Sequence, residues 1–242
     1  MSKKISLKQL LMKGGKFEKV YDCVSAIRSG KVSVSNKIIT NPNYFFNPKL
    51  LVRFGGEKIK QVKKLYFLMN KPVGYLSQKS ENEKTIYDLI KKTDIPKESQ
   101  QSLFAVGRLD KDTEGLIIIT NDGKLSSLIM NPESKVTKRY HAVLKNFVDL
   151  NKINILEKGI EIETENERYK TKPCEIKITG EREVYISVSE GKKRQIRLMF
   201  DAIGNTVVGL IRVSIGGLQL GSLKSGETAQ ISREELLEKL FQ

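Results

Sequence analysis

A chain of 242 residues with 39% hydrophobic and 29% charged residues holds enough apolar material for a core, as one large domain or two unequal ones. Its apolar runs are only a few residues long and its N-terminus lacks the apolar stretch of a secretory signal, so a membrane span and export are not expected. Net charge is +15, yet residues 1–60 hold 13 Lys/Arg against 3 Asp/Glu while residues 61–242 hold 30 against 25. A quarter of the chain thus carries two thirds of the excess, the footprint of a nucleic-acid-binding module joined to a larger domain. Cys23 and Cys174 show no metal-ligand spacing and the lone His141 excludes a multi-histidine metal site, which points to a reduced, cytoplasmic protein without metal.

From Lys3 to Phe54 the pattern is helix, helix, strand, turn, strand. Leu7, Leu10 and Leu11 recur at helical spacing up to Gly14-Gly15, and Val20, Val24 and Ile27 repeat this up to Gly30. KVSVSNKIIT alternates like a strand broken at Ser35-Asn36, and NPNYFFNPKL is punctuated by prolines. Gly55-Gly56 followed by EKIKQVKK reads as a linker. YFLMNKPVGYLSQ is an apolar strand entering a turn at Lys71-Pro72 and Gly74, TIYDLIKK a short amphipathic helix, and Thr93 to Ser102, with Pro96, a loop.

The stretch GRLDKDTEGLIIITNDG, Gly107 to Gly123, joins a polar loop to a β-branched run too short for a helix, hence a buried strand. Asp122 is placed to cap the helix LSSLIMNP. Then follow the strand KVTKRYHAVL, a helix across 147–158 and a charged strand pair from Ile160 to Ile178, turning near Glu165-Asn166. The strand VYISVSEG, the helix RQIRLMFDAIG closed by Gly204, further strand in NTVVGLIRVSIGGLQL, and SREELLEKL with Ser232 and Glu235 spaced as a capping box complete the chain. The GRLDKDTEG loop gathers Asp110, Asp112 and Glu114 with Arg108 and Lys111 at the mouth of a rigid strand, a setting in which catalysis tends to sit.

GRLDKDTEGLIIITNDGKL resembles the signature segment of the pseudouridine synthases, in the RsuA/RluB/RluE/RluF branch that modifies ribosomal RNA. YFLMNKPVG resembles that family's LNKP-x-G opening, and the helix pair with GKVSVSNKIITNP resembles an S4 RNA-binding domain, with Ser35-Asn36 where Asn-Gly is more usual. The resemblance implies an α+β protein: an S4-like domain over residues 1–60, and a catalytic domain over 61–242 with a mixed, mostly antiparallel sheet flanked by helices. It implies catalytic roles for Asp110 in GRLD, Tyr140 in TKRYHAVL and Arg197 in EGKKRQIRLMF. Arg108, Lys71, Lys192, Lys193 and Arg194, with Lys31 and Arg28 of the S4-like module, are expected to meet RNA. The implied partner is ribosomal RNA or a ribosomal subunit precursor, met by a monomer with no cofactor and no membrane contact.

The chemistry agrees with those residue types. Making pseudouridine breaks the bond from ribose C1′ to uracil N1 and rejoins the base through C5, with no redox change and no hydrolysis. A carboxylate must attack the sugar or assist elimination, a guanidinium beside it keeps it charged, and a tyrosine offers a face for the base and a hydroxyl for proton movement. The uridine must leave its stack, and Arg108 is suited to hold the flanking strand. Taken singly, Asp110 could be a turn residue, Tyr140 core, and Arg197 the i+4 partner of Asp201; Asp112 and Glu114 are expected to shape the loop. The rival function is a non-catalytic RNA-binding ribosome-assembly factor, but a degenerate copy would have lost at least one of the three. An RNA hydrolase lacks its histidines or acidic metal cluster, and a glycosidase lacks its opposed carboxylate.

Overall fold

A computed structural model of the chain describes residues 4–13, 16–17, 19–59, 63–164 and 167–242. The expected helix stop at Gly14-Gly15, part of the expected linker (residues 60–62) and the turn at Glu165-Asn166 lie outside the described residues. The chain divides into two compact units, one of residues 1–65 with 87–104, the other of 66–86 with 105–242.

In the first unit, α1 (Leu7–Lys13) and α2 (Val20–Arg28) pack on short strands. Leu7, Leu11, Ile27 and Val32 are completely buried, joined by Phe46 and Val52. The buried face of α2 is Cys23, Ala26 and Ile27. Val20, expected on that face, stands at the first position of the helix and is exposed. Ser35 (φ 47°) and Asn36 (φ 66°) form the two-residue turn between strands Val32–Val34 and Lys37–Ile38, both left-handed as the twist of such a hairpin demands. Gly55-Gly56 is not a linker. It turns a second hairpin, in which strand Val52–Phe54 pairs with Glu57–Lys58. The segment expected as a loop before Ser102 contains the helix Lys97–Ser102, which Pro96 precedes at the cap, where a missing N–H costs nothing.

The second unit is built on one twisted sheet. Its main path comprises β1 (Tyr66–Lys71), β2 (Glu114–Thr120), β3 (Lys138–Leu144), β4 (Glu175–Gly180), β5 (Glu183–Val188), β6 (Val207–Ile215) and β7 (Thr228–Gln230), in the spatial order β4-β5-β3-β6-β2-β1-β7. Only β6 and β2 are parallel on this path, so the sheet is mixed and mostly antiparallel, and the protein is α+β.

Two apolar clusters lie along the sheet. One joins β3, β5 and β6 to α4 (Leu150–Glu157) and α5 (Gln195–Ala202) through Leu144, Leu156, Ile186, Met199 and Phe200. The other joins β1 and β2 to α3 (Gly123–Met130) and α6 (Arg233–Leu240) through Leu116, Ile118, Leu125, Leu236 and Leu240. In β2, Leu116 to Ile119 are each fully buried, so both faces of the strand are covered and the LIII run needs no polar alternation. The caps are those the residues suggest: Asp122 accepts from Lys124 N at 3.2 Å, and the Ser232 hydroxyl accepts from Glu235 N at 3.1 Å.

Gly115 fixes how the parallel pair comes together. It lies opposite Arg212 with φ +108°, and a Cβ there would stand 2.3 Å from the Arg212 carbonyl oxygen. Only glycine allows β6 this close to the start of β2. No helix among the described residues is long and apolar enough to cross a membrane.

Candidate active site

The loop from Gly107 to Thr113 feeds directly into β2, and its backbone is held from both sides. The buried Ser77 hydroxyl donates to Leu109 O at 2.8 Å and accepts from Leu109 N at 3.0 Å. Gly74 N donates to Lys111 O at 2.7 Å, and Thr113 N donates to Asp110 O at 3.1 Å, closing a turn around Asp110. Lys111 pairs with Glu83. A loop tied at these points presents its half-buried Asp110 carboxylate from a rigid base.

Asp110 opens into a cavity of about 660 Å³, within the usual range of small-molecule and nucleoside sites. Arg108, Tyr140, Arg197, Lys192, Lys193 and Arg194 line the same cavity. Eight Arg/Lys residues line it in all, against two acidic residues, Asp110 and Glu190, a balance that attracts a polyanion. Arg108, Lys192, Lys193 and Arg194 are exposed.

Arg197 does not serve where expected. Among the described residues no cation forms an ion pair with Asp110. The buried Arg197 guanidinium instead donates to Asp112 O at 2.8 Å and Val207 O at 2.7 Å, with its Nε 3.3 Å from Asp112 Oδ2. Asp112 Oδ2 also accepts from Arg194 Nη1 at 3.0 Å. Arg197 therefore clamps the loop to α5 and β6, and the alternative partner Asp201 is not used.

Lys71 is a second correction. It is completely buried, and its Nζ donates to Pro72 O at 2.9 Å and Tyr75 O at 2.7 Å, so it cannot reach an RNA phosphate. Burial lowers its pKa to about 8, while Asp112, Asp110 and Glu114 pull it back upward. Lys31 and Arg28 stand exposed in the other unit.

Four site residues were not singled out from the sequence. Ser77 gave no signal beyond its place in YLSQ. Tyr169 reaches the cavity from the strand Arg168–Lys170. Its hydroxyl donates to Glu190 Oε1 at 2.6 Å, and burial, then Glu190, holds that proton far above the usual tyrosine range. The same Glu190 oxygen accepts from Lys172 N and Gln195 Nε2, which orders the segment carrying Lys192 to Arg194. Lys138 and Arg212 complete the set; an arginine inside the apolar alternation GLIRVSIGG was the available sign. Arg212 is 4% exposed, donates through Nε to Leu116 O at 2.7 Å, and directs Nη1 at the Tyr140 hydroxyl at 3.5 Å.

Comparison with known proteins identifies the family. A family model described as RNA pseudouridylate synthase matches residues 65–202. The chain is 35% identical over 219 residues to an uncharacterized RNA pseudouridine synthase, YtzG, of Bacillus subtilis, covering 88% of this chain and 89% of that one. It is 33% identical to ribosomal small subunit pseudouridine synthase A of Escherichia coli (87% and 89% covered) and 31% identical to ribosomal large subunit pseudouridine synthase B of Bacillus subtilis (87% and 85%). A crystal structure of a pseudouridylate synthase superposes with a TM-score of 0.68 at 31% identity, covering 98% of this chain and 99% of the other. The signature loop, the sheet that carries it and these likenesses converge: the chain belongs to the RNA pseudouridine synthase family of isomerases.

Proposed function

We propose that this enzyme isomerises a uridine of ribosomal RNA to pseudouridine, with Asp110 acting at C1′ of a flipped-out nucleotide. The observation that carries the reading is Asp110 itself: a carboxylate without an ion-pair partner among the described residues, held on a tied loop, facing a cavity shared with Tyr140 and lined by cations. An unpaired carboxylate keeps its lone pairs for the substrate, whereas one locked to arginine would have to be released first.

Tyr140 supplies a flat face for the uracil and a hydroxyl for proton transfer once the base has rejoined through C5. Arg108, exposed beside Asp110, is placed to hold the strand from which the nucleotide leaves, which costs a few kcal/mol of stacking. Lys192, Lys193 and Arg194 meet phosphates at the cavity edge. The ribosomal substrate is carried over from the small- and large-subunit enzymes to which the chain is similar. The helix pair, hairpin and exposed Arg28 and Lys31 of the first unit support an S4-like RNA-binding role for residues 1–60, ahead of a catalytic domain over 61–242. A cytoplasmic location accords with that substrate and with two free cysteines.

Mapping pseudouridines in ribosomal RNA from cells with and without the gene tests the reading. One or a few positions should lose the modification without the gene and regain it when the gene is restored; identical maps would overturn it.

A further inference from the structure

β6 is not a regular partner of β3. The pairing runs Lys138 with Ile215 and Arg139 with Ser214, then jumps to Tyr140 with Arg212, so Val213 is the extra residue of a β-bulge. In an unbroken ladder Val213 would face Tyr140 and Arg212 would point to the other side of the sheet. The bulge turns the Arg212 side chain onto the face that Lys138 and Tyr140 share. All three line the cavity, and the Arg212 guanidinium carbon is 6.0 Å from the centre of the Tyr140 ring.

Arg212 has five N–H donors and the protein uses them incompletely. Nε and Nη1 are engaged, but Nη2, fully buried, has no partner among the described residues. Neither Arg212 nor Lys138 forms an ion pair among the described residues. Burial, and then the nearby Arg212, lowers the Lys138 pKa, so two cations share this part of the cavity. Such an arrangement is unfavourable by itself and is relieved by a negative group entering between them. A neutral uracil carbonyl would satisfy the idle N–H but would leave both charges uncompensated.

We propose that Arg212 and Lys138 form a built anion site that takes one backbone phosphodiester of the RNA strand delivering the uridine to Tyr140. This rests on the reading of RNA as substrate. The bulge at Val213 is then the device that aims an otherwise misdirected arginine at that phosphate.

The test uses the full-length protein and ribosomal RNA sparsely ethylated at its phosphates, which removes one charge per modified position. Bound and unbound RNA are separated and the interfering positions read out. With the unaltered protein, ethylation at a small set of phosphates should exclude RNA from the bound fraction. With Arg212→Gln, affinity for unmodified RNA should fall about tenfold, the worth of one charged contact, and one position should cease to interfere. Lys138→Met should silence the same position and carries the test if Arg212→Gln fails to fold; Arg212→Lys should restore interference in part. If every interfering position persists in the Arg212→Gln or Lys138→Met protein, the phosphate site is overturned. Pseudouridine formed on the same RNA by the unaltered protein is scored separately. Its absence together with a silenced phosphate would reject the enzyme reading and keep the anion site.

Discussion

Arg197 grips the main chain of Asp112, Nη2 to carbonyl oxygen at 2.8 Å, and leaves the carboxylate two residues earlier, Asp110, without a cationic partner of its own among the described residues. The arginine thus orders the loop and the loop presents the aspartate. Arg197→Ala leaves the Asp112 and Val207 carbonyls without their donor and should cost about 2–4 kcal/mol of stability, with kcat falling more than RNA affinity. Asp112→Asn keeps the shape and loses the charge facing Arg194 and Arg197, and should lower kcat roughly threefold to tenfold with little change in KM. Steady-state kinetics with a urea melt on each variant separates the two; equal losses in kcat and affinity would argue against a positioning role.

Lys71 gives a pH signature. Its folded pKa of about 8 lies below the ordinary 10.5 because burial outweighs the pull of Asp112, Asp110 and Glu114. Between those values the unfolded chain still holds a proton that the folded protein has released, so this group makes stability rise with pH; below about 8 both states hold it and its contribution is flat. Urea melts from pH 7 to pH 10 should show the unaltered protein gaining on Lys71→Met across that window. The variant should also be about 2–4 kcal/mol less stable near neutrality, since the Pro72 and Tyr75 carbonyls lose their donor.

Gly115→Ala places a methyl group 2.3 Å from the Arg212 carbonyl oxygen at a φ that side chains avoid, and the obstacle is backbone. A loss of about 3 kcal/mol or more, or failure to fold, is expected. Gly107→Ala is the comparison: its Cβ would meet the Met130 sulfur at 3.0 Å, the movable end of a flexible side chain, and the cost should be about 1–2 kcal/mol for the left-handed backbone alone. Thermal melts of the pair rank the two sites.

Arg28 and Lys31 are exposed in the first unit, and no residue proposed to touch the reacting atoms belongs to that unit. Changing both to glutamate should weaken binding to ribosomal RNA and lower the slope of log affinity against log salt by about one to two, as lost phosphate contacts require. An unchanged slope would count against an RNA role for this unit.

What the sequence disclosed follows from local physics. LIIIT is β-branched, apolar and short, and it is a strand buried on both faces. Ser35-Asn36, Asp122 and Ser232 act through their own backbone preferences or side-chain oxygens, and each sits where those demand. The misreadings concern features that distant parts decide. KESQQS has no apolar period, yet it is helical. Gly55-Gly56 serves a hairpin as readily as a linker, and the pairing of Arg53 with Lys58 decides between them. Lys71 ends a strand beside a turn and reads as exposed until the Pro72 and Tyr75 carbonyls fold over it. Arg212 changes face through a bulge that alternation cannot display, and the partner of Arg197 depends on a loop more than eighty residues away in the chain.

The central claim, that Asp110 performs the chemistry, is met most directly by Asp110→Asn. The substitution keeps size and most hydrogen-bonding capacity while removing the charge, and an amide is a far poorer nucleophile or base. Its affinity rests on lysine and arginine contacts that do not change. Pseudouridine formed per enzyme on unmodified ribosomal RNA should fall below detection while a filter-binding curve stays within about twofold of the unaltered protein. Substantial turnover by the Asp110→Asn protein would contradict the assignment.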